Sequence, residues 1–220
     1  MMAAVSRSRD GVGMAILESI AKQLHKPSGF IGKFVVARLL NRGNAPLNLL
    51  TLKCLALQSD DRVLEIGFGG GDLLNRIAER VAQGHVTGVD FSPEMVALCE
   101  RRFARLIAAK RMELHCASVE KLPLPEAHFT KVCTVNTIYF WPAPMGPLKE
   151  IHRVMADGGR LVVCFNPPAT LKKAPYTKYG FHFREPAEVQ GFLAEAGFHH
   201  LEMVDGVSSL GEFKCAVATK

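Results

Sequence analysis

The stretch VLEIGFGGGDLL, residues 63–74, decides how the rest of the chain is read. Its apolar residues through Ile66 form a buried-strand pattern. Four glycines then fall within positions 67–71, and Leu73, Leu74, Ile77, Ala78 and Val81 repeat at three and four residues along one helix face. Strand, glycine turn and helix in that order open a nucleotide-binding βαβ unit. Which nucleotide depends on the residues around the glycines. A dinucleotide fingerprint has a third glycine where this chain has Asp72, and a phosphate-gripping loop needs a Gly-Lys-Ser/Thr ending that is missing. The pattern is instead acid-x-Gly-x-Gly-x-Gly, with Glu65 leading Gly67, Gly69 and Gly71 around Phe68. A carboxylate at the end of the strand repels a pyrophosphate and attracts an ammonium. The expected ligand is cationic at one end and a nucleoside at the other.

From Arg62 onward, strands and amphipathic helices alternate, as in a doubly wound parallel sheet. HVTGVD reads as the second strand, MELHCA as the third and KVCTVN as the fourth. Between the second and third strands, Ser92 and Pro93 supply an N-cap and first-turn proline for one helix carrying Met95, Leu98, Cys99, Phe103, Leu106 and Ile107. A helix from about Pro144 to Met155 leads to a Gly158-Gly159 turn and a fifth strand, and Glu185-Pro186 opens a last helix closed by Gly197. The two strands after it have no helix between them and should pair antiparallel. Residues 12–57 hold three helix-like segments, broken at Lys26–Gly32, and are expected to form a helical lid on one rim. The chain thus divides into a lid segment, 1–57, and a core, 58–220, of one domain.

Composition narrows the function classes. The longest apolar run, FIGKFVVARLL, is interrupted by Lys33 and Arg38 and falls short of the roughly 20 residues of a membrane span, so a cytoplasmic protein is expected. The first residues are rich in Ser and Arg, but Asp10 and Glu18 argue against a transit peptide. Six cysteines without a C-x-x-C pair read as dispersed core thiols, and eight histidines show no ligand spacing, His199 and His200 pointing opposite ways on a strand; no metal is expected. The net charge of +6 could attract nucleic acid or an anionic substrate, but the basic residues of ERRFARLIAAKR lie on a helix whose other face is apolar and read as its solvated face, which makes nucleic acid an unfavoured partner.

Five segments in order, VLEIGFGGG, GVDFSPEM, ASVEKLPLPEAHF, VNTIYFW and VMADGGRLVV, resemble the class I S-adenosylmethionine-dependent methyltransferases, in particular the small-molecule ubiquinone/menaquinone C-methyltransferase group. The resemblance runs from Arg62 to the C-terminus. It implies a Rossmann-like α/β sheet of order 3-2-1-4-5-7-6 with strand 7 antiparallel, and S-adenosylmethionine as cofactor, leaving S-adenosylhomocysteine. Gly67 and Gly69 would admit the methionine and ribose portion, Glu65 would orient it, Asp90 would hold the ribose hydroxyls and Phe91 would cover the adenine. Asn136 would face the methionine end. Where the family has Gly-Asp-Ala after the third strand, this chain has Ala117, Ser118 and Val119, so the Ser118 hydroxyl and Val119 amide are left to meet the adenine edge. Thr130 replaces a common aspartate and is expected to alter only a strand-entry contact.

The resemblance implies methyl transfer to a small molecule, mainly by proximity and orientation. If a base is used, Tyr139 is the first candidate, with His152, Tyr176, Tyr179 and His182 behind it; His152 is expected on the helix surface. Tyr176 and Tyr179, in LKKAPYTKYGFHF, and Trp141 are candidates for acceptor contact, with core packing as the alternative for Trp141. The lysines there fit an anionic acceptor or a solvated loop. FNPPAT at 165–170 is similar to an amide- or base-holding Asn-Pro-Pro-aromatic motif, but it follows the fifth strand and has Ala169 in the aromatic position, so it reads as a rigid strand exit. The rival readings are an RNA or protein methyltransferase and a cofactor-binding protein without activity.

Overall fold

The computed structural model describes residues 44–220. Seven strands form one sheet in the order β3-β2-β1-β4-β5-β7-β6. β1 (Arg62–Ile66), β2 (His85–Asp90), β3 (Met112–Cys116), β4 (Phe129–Val135) and β5 (Met155–Phe165) run parallel, and β7 (Gly211–Thr219) lies antiparallel between β5 and β6 (His199–Ser208). Sheet order and the antiparallel strand agree with the expectation. Connections from β1 and β4, which are neighbours, diverge to opposite sides, and the carboxyl ends of these strands therefore flank a crevice, the usual ligand position in such sheets.

Alternation along the strands builds two cores. Val63 and Cys133 face one side beneath α1 (Ala45–Leu55), α2 (Asp72–Arg80) and α3 (Pro93–Arg102), whereas Leu64 and Val132 face the other beneath α5 (Met145–Val154) and α7 (Pro186–Glu195). α1 is the described part of the expected lid. It buries Leu47, Leu52, Cys54 and Leu55 against the sheet face, with only its first turn at the crevice, while the earlier helical segments and the Lys26–Gly32 break lie outside the described residues. None of the helices among the described residues is long and apolar enough to cross a membrane.

Three local readings are corrected. The helix after Ser92 is two helices, α3 and α4 (Ala104–Ala108), because Phe103 turns inward at φ −105° and packs beside Gly71. The Gly-Gly pair lies inside β5, where the ladder passes from Met155 directly to Arg160 and Gly158, at φ +74°, forms a bulge. His199 and His200 do not diverge; a bulge at the start of β6, with His200 at φ 50°, brings their rings to 4.8 Å.

Two other details follow from side-chain chemistry. The Thr130 hydroxyl donates to Asp61 (2.7 Å) and accepts from the Arg62 amide (3.1 Å), so the strand-entry contact is an added tie between β4 and β1. Folding gathers three of the thiols read as dispersed: Cys54 of α1, Cys215 of β7 and Cys164 of β5 form a buried hydrogen-bonded run. Its hydrogen bond with Cys215 first and burial second raise Cys54 as an acid, and the hydrogen bond with Cys164 first and burial after it raise Cys215, which suits packing rather than nucleophilic chemistry.

Candidate cofactor and acceptor site

A cavity of about 360 Å³ opens at the carboxyl ends of β1, β2, β4 and β5. Its first half is made by the glycine loop. Gly67 has φ +74°, and a Cβ there would overlap Thr137 Cγ2, so the loop presses against the β4 exit with no room for a side chain. Gly69, at φ +50°, has nothing within 4 Å of an added Cβ, leaving open space beside the loop. Gly67→Ala should lose about 2 kcal/mol or more from left-handed backbone and overlap combined, with cofactor affinity falling in parallel; urea unfolding and calorimetric titration measure the two.

Three acids line this half. Glu65 is 3% exposed, and its Oε2 has no hydrogen-bond partner among the described residues. Burial first, then the charges of Asp90 and Asp72, push its carboxyl well above the usual glutamate range. Asp90 accepts from the Gly69 amide at Oδ2 and the Ser92 amide at Oδ1, both at 2.9 Å; burial raises its pKa and these two bonds oppose the rise. Asp72 accepts from Asn48 of α1 (3.1 Å) and Arg76 (2.9 Å). Phe91 lines the mouth and is 40% exposed. The donor set fits S-adenosylmethionine: an orphaned buried carboxylate for an ammonium, a fixed carboxylate with lone pairs remaining for ribose hydroxyls, and open space beside a glycine.

The second half is mostly apolar. Tyr139, Phe140 and Phe181 form an aromatic wall, with Tyr139 and Phe181 stacked at 5.7 Å and Phe140 edge-on to Phe181 at 4.8 Å. Tyr176 adds a third neighbour of Phe181 at 6.2 Å. Asn136, at φ +57°, donates from Nδ2 to Asn44 Oδ1 (2.8 Å) and accepts at Oδ1 from the Tyr139 hydroxyl (2.8 Å) and Asn166 Nδ2 (3.1 Å). The Asn166 amide donates to the Tyr139 oxygen. The tyrosine is 2% exposed, and burial pushes its phenol far up.

The structure thus brings Glu65, Gly67, Phe68, Gly69, Asp90, Phe91, Asn136, Tyr139 and Tyr176 to one cavity. Other expected residues stand outside its lining. Gly71 caps α2 at φ +73°, with Phe103 and Cys99 in the space of a side chain. Ser118 is exposed and accepts from the Glu120 amide, Val119 packs on the core, Trp141 is buried in it and Tyr179 is half-buried. His152 is half-buried against Phe198 rather than on the surface. Asn44 and Asn48 were not singled out in the sequence and carry no signal there in isolation; Thr177 and Phe181 lie in the segment LKKAPYTKYGFHF, expected to carry acceptor contacts, and Asn166 in the Asn-Pro-Pro run, read only as a rigid strand exit although it lines the cavity.

An acid-led glycine loop, a carboxylate ending β2 and this sheet order define the class I S-adenosylmethionine-dependent methyltransferases. A family described as a methyltransferase domain matches residues 63–159. The ubiquinone/menaquinone biosynthesis C-methyltransferase UbiE of Geotalea uraniireducens is 32% identical over 163 residues, 71% of this chain and 68% of that protein. The uncharacterized methyltransferase YdaC of Bacillus subtilis is 32% identical over 124 residues, 56% of this chain and 66% of that one. A crystal structure of a SAM-dependent methyltransferase from Aquifex aeolicus superposes with a TM-score of 0.65 at 21% identity, covering 91% of this chain and 97% of that one. The chain belongs to the class I S-adenosylmethionine-dependent methyltransferase family and resembles its UbiE group. It spans about two thirds or less of the first curated relatives it matches.

Proposed function

We propose that the protein transfers a methyl group from S-adenosylmethionine to a small-molecule acceptor in the cytoplasm. The observation that carries this reading is the buried Glu65 beside the glycine loop, whose Oε2 has no partner among the described residues, in the same cavity as the aromatic wall. When bound, S-adenosylmethionine supplies a methyl group already activated on a sulfonium. Glu65 takes the ammonium, Asp90 the ribose, and Phe91 stands at the mouth for the adenine. Asn136 is fixed by its bonds to Asn44, Tyr139 and Asn166.

Tyr139 fits a positioning role better than that of a base. Its oxygen already accepts a backbone amide, its proton goes to Asn136, and burial holds the phenol neutral. Catalysis then rests on orientation and exclusion of water. Among the described residues lining the cavity there is no lysine, arginine or histidine; Lys172, Lys173 and Lys178 are exposed, which favours the solvated-loop reading of these lysines and an uncharged acceptor. The test is calorimetric titration with S-adenosylmethionine, S-adenosylhomocysteine and NADH. Micromolar binding of the first two and none of NADH is the expected result, followed by acceptor screening with labelled methyl groups. Failure of both sulfur nucleosides to bind would end the reading.

A further inference from the structure

Among the described residues, two buried side-chain oxygens lack a hydrogen-bond partner, Glu65 Oε2 and Asn166 Oδ1, and both residues line the same cavity. Glu65 of β1 is level with Val162 of β5 across β4, and Asn166 stands four residues beyond Val162, so the two are separated by two strand spacings, roughly 10 Å laterally, and by a further rise toward the cavity mouth. The first oxygen is accounted for by the cofactor's ammonium. Asn166 lines the cavity together with Tyr139, Phe140, Phe181 and Leu171, the half left for the acceptor.

The polarity of the network explains why the oxygen, and not the amide nitrogen, is left over. The Asn166 backbone N–H can only donate, and it donates to Tyr139. The tyrosine proton therefore goes to Asn136 Oδ1. Facing that oxygen, Asn166 must present its NH₂ group, which it does at 3.1 Å, and its own carbonyl oxygen is turned away from the network. Buried carbonyl oxygens are almost always paired.

We infer that Asn166 is a specificity-determining residue that accepts a hydrogen bond from the methyl acceptor, and that the acceptor presents one neutral O–H or N–H from an otherwise apolar body. On this wall Asn166 Oδ1 is the buried side-chain oxygen without a partner among the described residues, and it matches a group with a hydrogen to give; an ammonium would leave further hydrogens to be paired among mostly aromatic and aliphatic side chains. The inference rests on the methyltransferase reading of the cavity.

The test uses 1-naphthol and 1-fluoronaphthalene, which differ in a hydrogen-bond donor and little in shape, titrated by NMR in saturating S-adenosylhomocysteine. Wild type should prefer the naphthol by about tenfold, the value of one hydrogen bond to an otherwise unpaired oxygen. Asn166→Asp keeps an acceptor oxygen and should retain the preference; Asn166→Leu should bind both probes alike. An amide needed only to brace Asn136 would be damaged by both substitutions. Equal or absent binding of the probes to wild type, preference surviving in Asn166→Leu, or preference lost in Asn166→Asp each overturns the inference. If Asn166→Leu fails to fold, Asn166→Asp decides alone. Failure of wild type to bind S-adenosylhomocysteine would instead remove the methyltransferase reading beneath it.

Discussion

Asp90→Ala is expected to weaken S-adenosylhomocysteine binding by about 100-fold or more, since hydrogen bonds to a charged acceptor contribute about 1.5–3 kcal/mol each and two ribose hydroxyls would lose theirs. The loss has a second source. Asp90 holds the amides of Gly69 and Ser92, one in the glycine loop and one at the start of α3, and so fixes the loop against the end of β2. Without it, the Gly69 N–H must find another partner and the loop is no longer held for a ligand. Calorimetric titration reads the affinity, and thermal unfolding of the free variant separates loop loosening from global loss. A change of less than about threefold would remove Asp90 from the site, being no larger than an ordinary exposed interaction.

Glu65→Gln should move binding and stability in opposite directions. Removing one partner of a buried charge pair costs about 2–5 kcal/mol, so cofactor affinity should fall at least about 30-fold. The free protein, by contrast, should melt higher than wild type near neutral pH. Burial and two neighbouring acids raise the Glu65 pKa in the folded state, so the folded protein holds this proton more tightly than the unfolded chain does. Stability from this group therefore decreases as pH rises from the ordinary glutamate value through the raised folded value. Glutamine cannot ionise and escapes that cost. The advantage should shrink as pH falls toward the ordinary glutamate range and be absent below it. Melting curves across that range check the sign; a variant less stable than wild type at neutral pH would contradict the burial argument.

The cofactor half of the site was legible because it is local. Glu65 through Asp72 is one strand, turn and helix start, and Asp90 is the end of the next strand, so periodicity and glycine spacing located them in the fold, while the role expected of Asp90 came from the family resemblance. Sheet order came from the matched segments and from two final strands with no helix between them. The acceptor half was less legible because it is assembled across distance: Asn44, Asn136 and Asn166 meet through three separate elements, and nothing in any one of them announces the others. Trp141 and Tyr139 are two residues apart, yet one is sunk in the core and the other borders the cavity. The turn at Ile138–Phe140 decides that, and short 3₁₀ geometry leaves no period to read. The same limit hid the break at Phe103, where apolar spacing continues through a change of helix axis.

The origin of the two halves of the cavity has a consequence for how such a chain diversifies. The donor side is built from residues locked into the parallel ladder or directly capping it, where a substitution disturbs β1, β2 and the helices above them together. Beside Tyr139 and Phe140, which follow β4, the opposing wall draws Asn166, Thr170 and Leu171 of α6 (Pro168–Leu171), Tyr176, Thr177 and Phe181 from the passage between β5 and α7, which carries no ladder bonds. Drift can accumulate in that passage without altering sheet register. On the proposed division of the cavity, changes confined to positions 166–181 would therefore reshape this part of the acceptor wall while leaving the glycine loop and the end of β2 as they are.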